Sequence, residues 1–497
     1  LIASTAAAAD VASLGGNTYY VSSSGDDTSS GVSADAPWKT LERVEAGDLG
    51  PGDRVLFKGG DRVPGTLTLS EVVGTADARV VLSSYGDGRA TIDGGDGSGF
   101  VLASCEYVTV KELNFVGNGR KSENDGYGVR IEGGANNEID SVEASGFRRA
   151  GISTGGDEST RITNVRAHHN GFAGITVRGG GDLPFTRDLY IGHSVAHDNP
   201  GDPLNTTNHS GNGIVVGGVK GGLIEYCEAF NNGWDMPRQG NGPVGIWGYF
   251  CDRLVIQHNI AHHNKTSKGG HDGGGFDLDG GATNSILQYN LSYANQGTGY
   301  LLCQYPGAAP WKDNICRYNI SIDDGRTNHF DGIHFWAGDE NISDALVHNN
   351  LIVNGRHAIA STHDIPGLVF RNNILVSGDS VVLGPLDAAR FEGNLYLSRQ
   401  DAPLIAHPDR QFQTLQEWAE ATGKEMVNGR LVGRVADPRI VLPLDLRDLP
   451  TNPEALRKMV FYRLIADSPA VGTALPIEGT GGEDFWRNPV ASDGPRN

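Results

Sequence analysis

The chain has 497 residues, 38% of them hydrophobic, with 71 glycines and a formal net charge of −20 from 40 basic and 60 acidic side chains. With glycine counted in, the apolar content is ordinary for a globular protein, which excludes a disordered chain, and the glycines follow no G-X-Y period, which excludes collagen. No apolar run reaches the roughly 18 residues of a membrane span, and so acidic a surface repels nucleic-acid backbones, so neither membrane insertion nor nucleic acid is expected.

Residues 1–17, opening on Leu1-Ile-Ala-Ser-Thr-Ala-Ala-Ala-Ala-Asp, read as the tail of a signal peptide with its small-residue cleavage site, or as a flexible leader. The first reading makes the protein secreted, or at least extracytoplasmic. Five cysteines (Cys105, Cys227, Cys251, Cys303, Cys316) are odd in number and lack zinc-site spacing, so at most one or two disulfides are expected. Residues 18–100 read as an N-terminal cap with the first coils of a repeat.

The repeat fills 101–400. Glycine, apolar, any, apolar recurs at Gly128-Val-Arg-Ile, Gly151-Ile-Ser-Thr, Gly174-Ile-Thr-Val, Gly213-Ile-Val-Val, Gly245-Ile-Trp-Gly, Gly275-Phe-Asp-Leu, Gly299-Tyr-Leu-Leu and Gly332-Ile-His-Phe, at its tightest every 23 residues. Between these, asparagine precedes an aliphatic residue at Asn259, Asn290, Asn319, Asn350, Asn373 and Asn394, a phase held earlier by Val165, Ser194 and Cys227. Short strands repeating on this scale, without helices, make one coil of a parallel β-helix. Coils stack about 4.8 Å apart, so equivalent residues form ladders, and asparagine in such a ladder can hydrogen-bond up and down the stack. That gives the asparagines a structural role. The triplets His168-His-Asn and His262-His-Asn share another phase and read as surface turns.

Alternation sorts the glycine-led strands by face. Val129, Ile152, Ile175, Ile214, Ile246, Phe276, Tyr300, Ile333 and Ile359 point inward, with Ile131, Val177, Val216, Leu278, Leu302 and Phe335 behind them. The outward rows bring Trp247, Asp277, Leu301 and His334 together, and beside them Tyr249, Asp279, Cys303 and Trp336. Three neighbouring coils carry insertions at one corner (200–211, 233–243 and 265–273), and the opposite corner is enlarged after Gly299. Insertions flanking one strand face build the walls of a cleft.

The floor of that cleft carries His271-Asp-Gly-Gly-Gly-Phe-Asp-Leu-Asp-Gly-Gly. Asp277 and Asp279 project to the same side with Cα atoms about 6.6 Å apart, and Asp272 ends the inserted loop above them. Clustered carboxylates raise at least one pKa and set a proton donor beside an ionised partner, the pairing that glycosidic cleavage requires. Asp272, Asp277 and Asp279 are therefore the candidate acid and base or nucleophile. His334 is either an acid–base helper or a hydrogen-bond partner of a sugar hydroxyl. Trp247, Tyr249 and Trp336 offer faces for sugar rings, and His271, Gln304 and Arg178 complete the expected substrate contacts. Arg178 either grips an acidic sugar or pairs with a neighbouring acid. The same aspartates also suit a structural calcium ion that braces the coil; no cofactor is required for the reaction. Cys303 has no activating base and reads as a packed thiol.

Residues 401–497 lose the rhythm. Thr414-Leu-Gln-Glu opens a capped helix ending near Gly423, and the remainder reads as a segment that folds back along the coils or closes their open end.

Tyr19-Tyr-Val-Ser-Ser-Ser-Gly-Asp, Pro37-Trp-Lys-Thr-Leu, Pro51-Gly-Asp-Arg-Val-Leu-Phe-Lys-Gly-Gly, the coils themselves and Ser468-Pro-Ala-Val-Gly together resemble the secreted pectin-lyase-like carbohydrate-active enzymes. The resemblance implies an all-β, right-handed parallel β-helix and a carbohydrate substrate. It does not select a reaction, since one fold hosts many: the polygalacturonase set and the pectate-lyase signatures are absent, and Thr362-His-Asp-Ile-Pro only echoes an epimerase-type motif. With the aspartate cluster, the expectation is a glycoside hydrolase. A polysaccharide lyase acting on a uronic-acid glycan is the alternative, for which the cleft offers His334, Tyr249 and Arg178 but no lysine. A noncatalytic glycan-binding β-helix would show the aromatics without the carboxylates. Nothing in the pattern specifies an oligomeric state.

Overall fold

A strand that alternates apolar and polar residues must cover its apolar row with another layer. Here the chain covers it with itself. The computed structural model describes residues 15–490 apart from Phe330, so residues 1–14 of the expected leader lie outside the described residues. Three sheets of 14 strands run the length of the molecule, and each coil gives one strand to each. One coil runs through Asp252–Gln257 in sheet I, Ile260–His262 in sheet II and Gly274–Leu278 in sheet III. Coil-to-coil pairing is parallel, as between Val244–Tyr249 and Gly274–Leu278. The protein is a parallel β-helix.

Both bends around sheet II are built alike. Before Asn259 stands His258 at φ 55°, and before Asn264 stands His263 at φ 52°. A left-handed residue turns the chain sharply at some conformational cost, and the buried asparagine after it satisfies the backbone groups the turn exposes. Along the bend between sheets I and II, Asn259 Nδ2 donates to Asn290 Oδ1 at 3.0 Å, and the same link continues through Asn319, Asn350, Asn373 and Asn394. Glu425 closes the ladder by accepting from Asn394 Nδ2 at 2.7 Å.

A second ladder runs through Asn170, Asn199, Asn232, Asn264 and Asn295 to Asp324. This corrects the reading of the His-His-Asn triplets as surface turns, since Asn170 and Asn264 are buried in the second ladder. The first histidine of each triplet stacks, His168, His197, Phe230, His262 and Tyr293 lying ring on ring at 4.7–5.1 Å along sheet II, while His169 and His263 are exposed at the turn as expected. The second ladder also explains the repeated glycine. A Cβ on Gly245 would stand 2.7 Å from Asn264 Nδ2, and one on Gly275 would stand 2.2 Å from Ser292 Oγ. The glycine-led strand approaches sheet II so closely that no side chain fits.

The inward rows form one continuous core, with Phe276 on Tyr300 at 5.3 Å and Phe370 on Phe391 at 4.5 Å. All five cysteines are buried and unpaired. At the N-terminal end the helix Leu41–Glu45 and buried Trp38 cover the first strand of sheet III, Leu67–Ser70. At the other end the helix Leu415–Thr422 has a Thr414/Glu417 capping box and Gly423 in the left-handed conformation. Its Trp418 packs edge-on against Phe391 at 4.9 Å. The chain beyond runs back along sheet II, where Leu449, Leu456, Met459, Tyr462 and Phe485 cover Ile260, Leu291, Ile320 and Leu351. That leaves the outer face of sheet III open.

Candidate active site

The outward rows of sheet III fall into register as alternation requires: Thr176, Val215, Trp247, Asp277, Leu301 and His334 are successive partners. On this face lies a cavity of about 640 Å³. Its floor is Trp247, Asp277 and Leu301, and the inserted loops raise its walls with His209, Arg238 and Asp272. Tyr305 and Trp336 close the opposite side.

The three aspartates differ in their surroundings, and so in their protons. Asp277 is 3% exposed and its Oδ1 has no hydrogen-bond partner. Burial, then the charges of Asp279 and Asp272, push its pKa well above the usual carboxylate value and so favour its protonated form. Asp279, at the end of the same strand, keeps partial exposure to the cavity. Burial raises it to about 6 against hydrogen bonds from the Cys303 thiol and the Gly280 N–H that draw it down. Asp272 goes the other way. Burial pushes it up, but hydrogen bonding and charge from His329, together with the Gly242 N–H at 2.7 Å, hold it below the usual value. The three carboxyl groups therefore differ in proton affinity: Asp272 is held below the usual value, Asp279 is raised to about 6, and Asp277 is raised well above the usual value.

Imidazoles complete the charge pattern. His329 Nε2 donates to Asp272 Oδ1 at 3.4 Å; burial disfavours its charge, but Asp272 and then Asp331 outweigh that and raise its pKa. His334 packs on the His329 ring at 4.5 Å and donates from Nδ1 to Asp331 Oδ2 at 2.6 Å, which leaves its buried Nε2 without a partner. His209 stands edge-on to Trp247 at 4.8 Å, and burial lowers it to about 4, so it is neutral. Among the described residues no three His, Cys, Asp or Glu side chains converge as metal ligands.

Of the residues expected at the substrate, Asp272, Asp277, Asp279, Trp247, Tyr249, His271 and Trp336 all line the cavity. His334 stands behind it, in contact with His329. Arg178 lines a neighbouring cavity. Gln304 requires a correction: it is fully buried, its Oε1 accepting from the Gly281 N–H at 3.3 Å and its Nε2 donating to Ala309 O at 3.2 Å. It braces the corner loop. Alternation already places it inward, two residues beyond Leu302. Cys303 is a thiol, its pKa raised by burial and by the carboxylates around it. The sequence did not single out His209, Arg238, Tyr305, His329 or Asp331. The first four sit in loops, where strand alternation gives no direction, and enlarged corners marked only the segments holding His209, Arg238 and Tyr305; Asp331 opens the strand Asp331–Ala337 and bonds His334.

The relation between His329 and Asp272 makes a measurable prediction. Replacing His329 with glutamine removes the cation that favours the Asp272 carboxylate, so the Asp272 pKa rises and the acidic limb of any pH–rate profile moves to higher pH. The alkaline limb, which belongs to a different group, stays. Initial rates across pH for both proteins decide the point.

A family model described as Pel9A-like, right handed beta helix region, matches residues 19–328. The chain belongs to this Pel9A-like right-handed β-helix family. The matched residues carry all of the cavity lining except His329 and Trp336. The chain is 25% identical to a lacto-N-biosidase from Bifidobacterium longum subsp. longum, over 73% of this chain and 29% of that protein. It thus spans less than a third of that relative's length. The crystal structure of a GH136 lacto-N-biosidase from Eubacterium ramulus superposes with a TM-score of 0.53 at 20% identity, covering 71% of this chain and 65% of that one. Pectate lyase Pel9A itself aligns over 97% of both chains at 16% identity, with a TM-score of 0.43.

Proposed function

We propose that the protein is a glycoside hydrolase in which Asp272 and Asp279 are the reacting pair. The observation that carries this reading is the inequivalence of two carboxyl groups facing one cavity: Asp272 is held ionised and Asp279 retains a proton to about pH 6. A glycosidic bond breaks when one carboxyl group protonates the departing oxygen while a carboxylate attacks the anomeric carbon or activates water there. The charge states give the proton to Asp279 and the nucleophile or base role to Asp272. Asp277, whose protonated form is favoured by burial and by the neighbouring carboxylates, can in that form donate a hydrogen bond to a sugar hydroxyl. Trp247, Tyr249 and Trp336 receive the apolar faces of the rings. A cavity of about 640 Å³ suits a short oligosaccharide unit, and the relationship to a lacto-N-biosidase supports a lacto-N-bioside-type unit at the cleaved end.

The test is a glycan panel followed both by reducing ends and by ultraviolet absorbance of unsaturated uronates. Reducing ends alone are expected; reducing ends with absorbance make the protein a lyase, and neither signal refutes an enzymatic reading. Activity should form a bell against pH. It falls above about pH 6 as Asp279 loses its proton, and falls on the acid side only as Asp272 gains one. On an aryl glycoside with a good leaving group, Asp279→Ala should keep more activity than Asp272→Ala, because such a substrate needs no acid. The reverse order would exchange the two roles.

A further inference from the structure

A second cavity, about 360 Å³, opens on the same outer face of sheet III, toward the N-terminal end. Tyr127, Arg130, Glu132, Arg178 and Leu183 surround it. Its floor is open because the strand row there reads Glu132, then Gly155, and Arg178 pairs onward with Gly217 and that with Tyr249. A Cβ on Gly217 would meet the Tyr249 ring at 2.2 Å. The missing side chain is what lets that ring lie down over the neighbouring coil, toward Arg178.

The two cavities lie on one face, with a buried apolar cluster between them. Ala150, Ala173, Val215, Val244 and Trp247 form one apolar cluster on this face, with Tyr127 at one end and Tyr249 at the other. Arg178 and Asp279 stand three coils apart in the same row, roughly 14 Å at about 4.8 Å per coil, a span that an oligosaccharide chain covers. Tyr127, Phe172 and Tyr249, partly exposed against this cluster, are the rings on which sugars can stack.

The charged groups of the second cavity are unequal. Arg130 is paired with Glu132 and lies over the Tyr127 ring at 5.2 Å. Arg178 is exposed, and among the described residues no carboxylate pairs with it. Its guanidinium fork is thus open beside the second cavity, a local positive group on a protein whose net charge is −20.

We propose that this cavity is a remote subsite for a carboxylate-bearing sugar, with Arg178 as the group that recognises the carboxylate. The inference rests on the glycoside hydrolase reading and adds a substrate class to it: oligosaccharides with a sialic or uronic acid distant from the cleaved bond. Arg178 binds two carboxylate oxygens through parallel N–H donors, Leu183 offers an apolar contact to the ring, and the Arg130–Glu132 pair meets the hydroxyls.

The experiment compares a neutral oligosaccharide that the protein cleaves with two derivatives, one carrying a sialic acid and one a glucuronic acid at the end remote from the scissile bond. Kinetics are measured for the wild type, Arg178→Gln and Arg178→Lys, and binding of the three glycans is measured on Asp279→Asn. The wild type should prefer at least one acidic glycan through a lower KM, and Arg178→Gln should raise that KM about tenfold while leaving the neutral glycan unchanged. Arg178→Lys should restore part of the preference, since it keeps the charge without the fork. Which derivative responds distinguishes sialate from uronate. Equal KM values for neutral and acidic glycans, or equal losses on both in Arg178→Gln, would overturn the subsite and leave the hydrolase intact. Arg178-dependent binding of an acidic glycan to Asp279→Asn, with no reducing ends from the wild type on any glycan, would uphold the subsite and overturn the hydrolase.

Discussion

Asp279→Asn is expected to lower kcat about a thousandfold or more while making the folded protein more stable. The activity loss follows from the proton: an amide occupies the same volume but cannot release a proton to the departing oxygen. The stability gain follows from linkage. Asp279 has a folded pKa of about 6, raised above its ordinary 3.8 chiefly by burial. A carboxyl group raised on folding destabilises the native state as pH climbs from the unfolded value through the folded one, and the full cost is present above both. At pH 8 the asparagine variant escapes that cost, roughly 1–3 kcal/mol; at pH 3 the two proteins should be nearly equal. Reading kcat and denaturation midpoints on the same preparations separates this from a structural role, which would lower both. Asp272→Asn should lose activity without the stability gain, because its carboxylate is favoured by the fold. A thousandfold loss matched by a lower midpoint at pH 8 would remove Asp279 from the chemistry.

The largest stability effect is expected from the asparagine ladder. Asn290 is fully buried; its Nδ2 donates to Ile256 O at 2.9 Å and to Asn319 Oδ1 at 3.1 Å. Its Oδ1 accepts from the Asn259 N–H at 3.0 Å and from Asn259 Nδ2 at 3.0 Å. Asn290→Ala removes four hydrogen bonds where water cannot reach: the Asn259 N–H loses its side-chain acceptor, while Asn319 Oδ1 keeps the Asn290 N–H and Asn259 Nδ2 keeps Ile224 O. Each orphaned group costs about 1–3 kcal/mol, and partial relaxation leaves roughly 3–5 kcal/mol in total. Asn341, on an exposed turn, should change stability by less than about 0.5 kcal/mol when replaced by alanine. Urea midpoints from far-ultraviolet circular dichroism compare the two. Neighbouring coils share the ladder, so Asn319→Ala in the same chain should add less than its single effect.

Both predictions concern residues whose roles were legible to different degrees. The ladder from Asn259 to Asn394 was readable because each asparagine precedes an aliphatic strand residue at a steady phase, and a repeated polar residue in a buried turn has only its own copies to bond with. The second ladder was hidden in plain polar triplets. Histidine beside asparagine suggests a wet turn, and only the stacked coils show that His262 lies between Phe230 and Tyr293 while Asn264 points at its neighbour. The glycine repeat was visible, but its cause was not. It is the nearness of sheet II, a through-space fact.

The amino-acid sequence by itself determined the coil, the inward rows and the face on which Asp277, Asp279 and the aromatics gather, because strand alternation and coil stacking are periodic properties carried along the chain. It also bounded the cleft, since inserted residues at one corner of successive coils have nowhere else to go. Only the tertiary structure decided which carboxyl group holds a proton, why His329 belongs with Asp272, and why Gln304 faces the interior. Those outcomes depend on desolvation and on charges brought together from different coils and loops, and such distances are not encoded by spacing along the sequence.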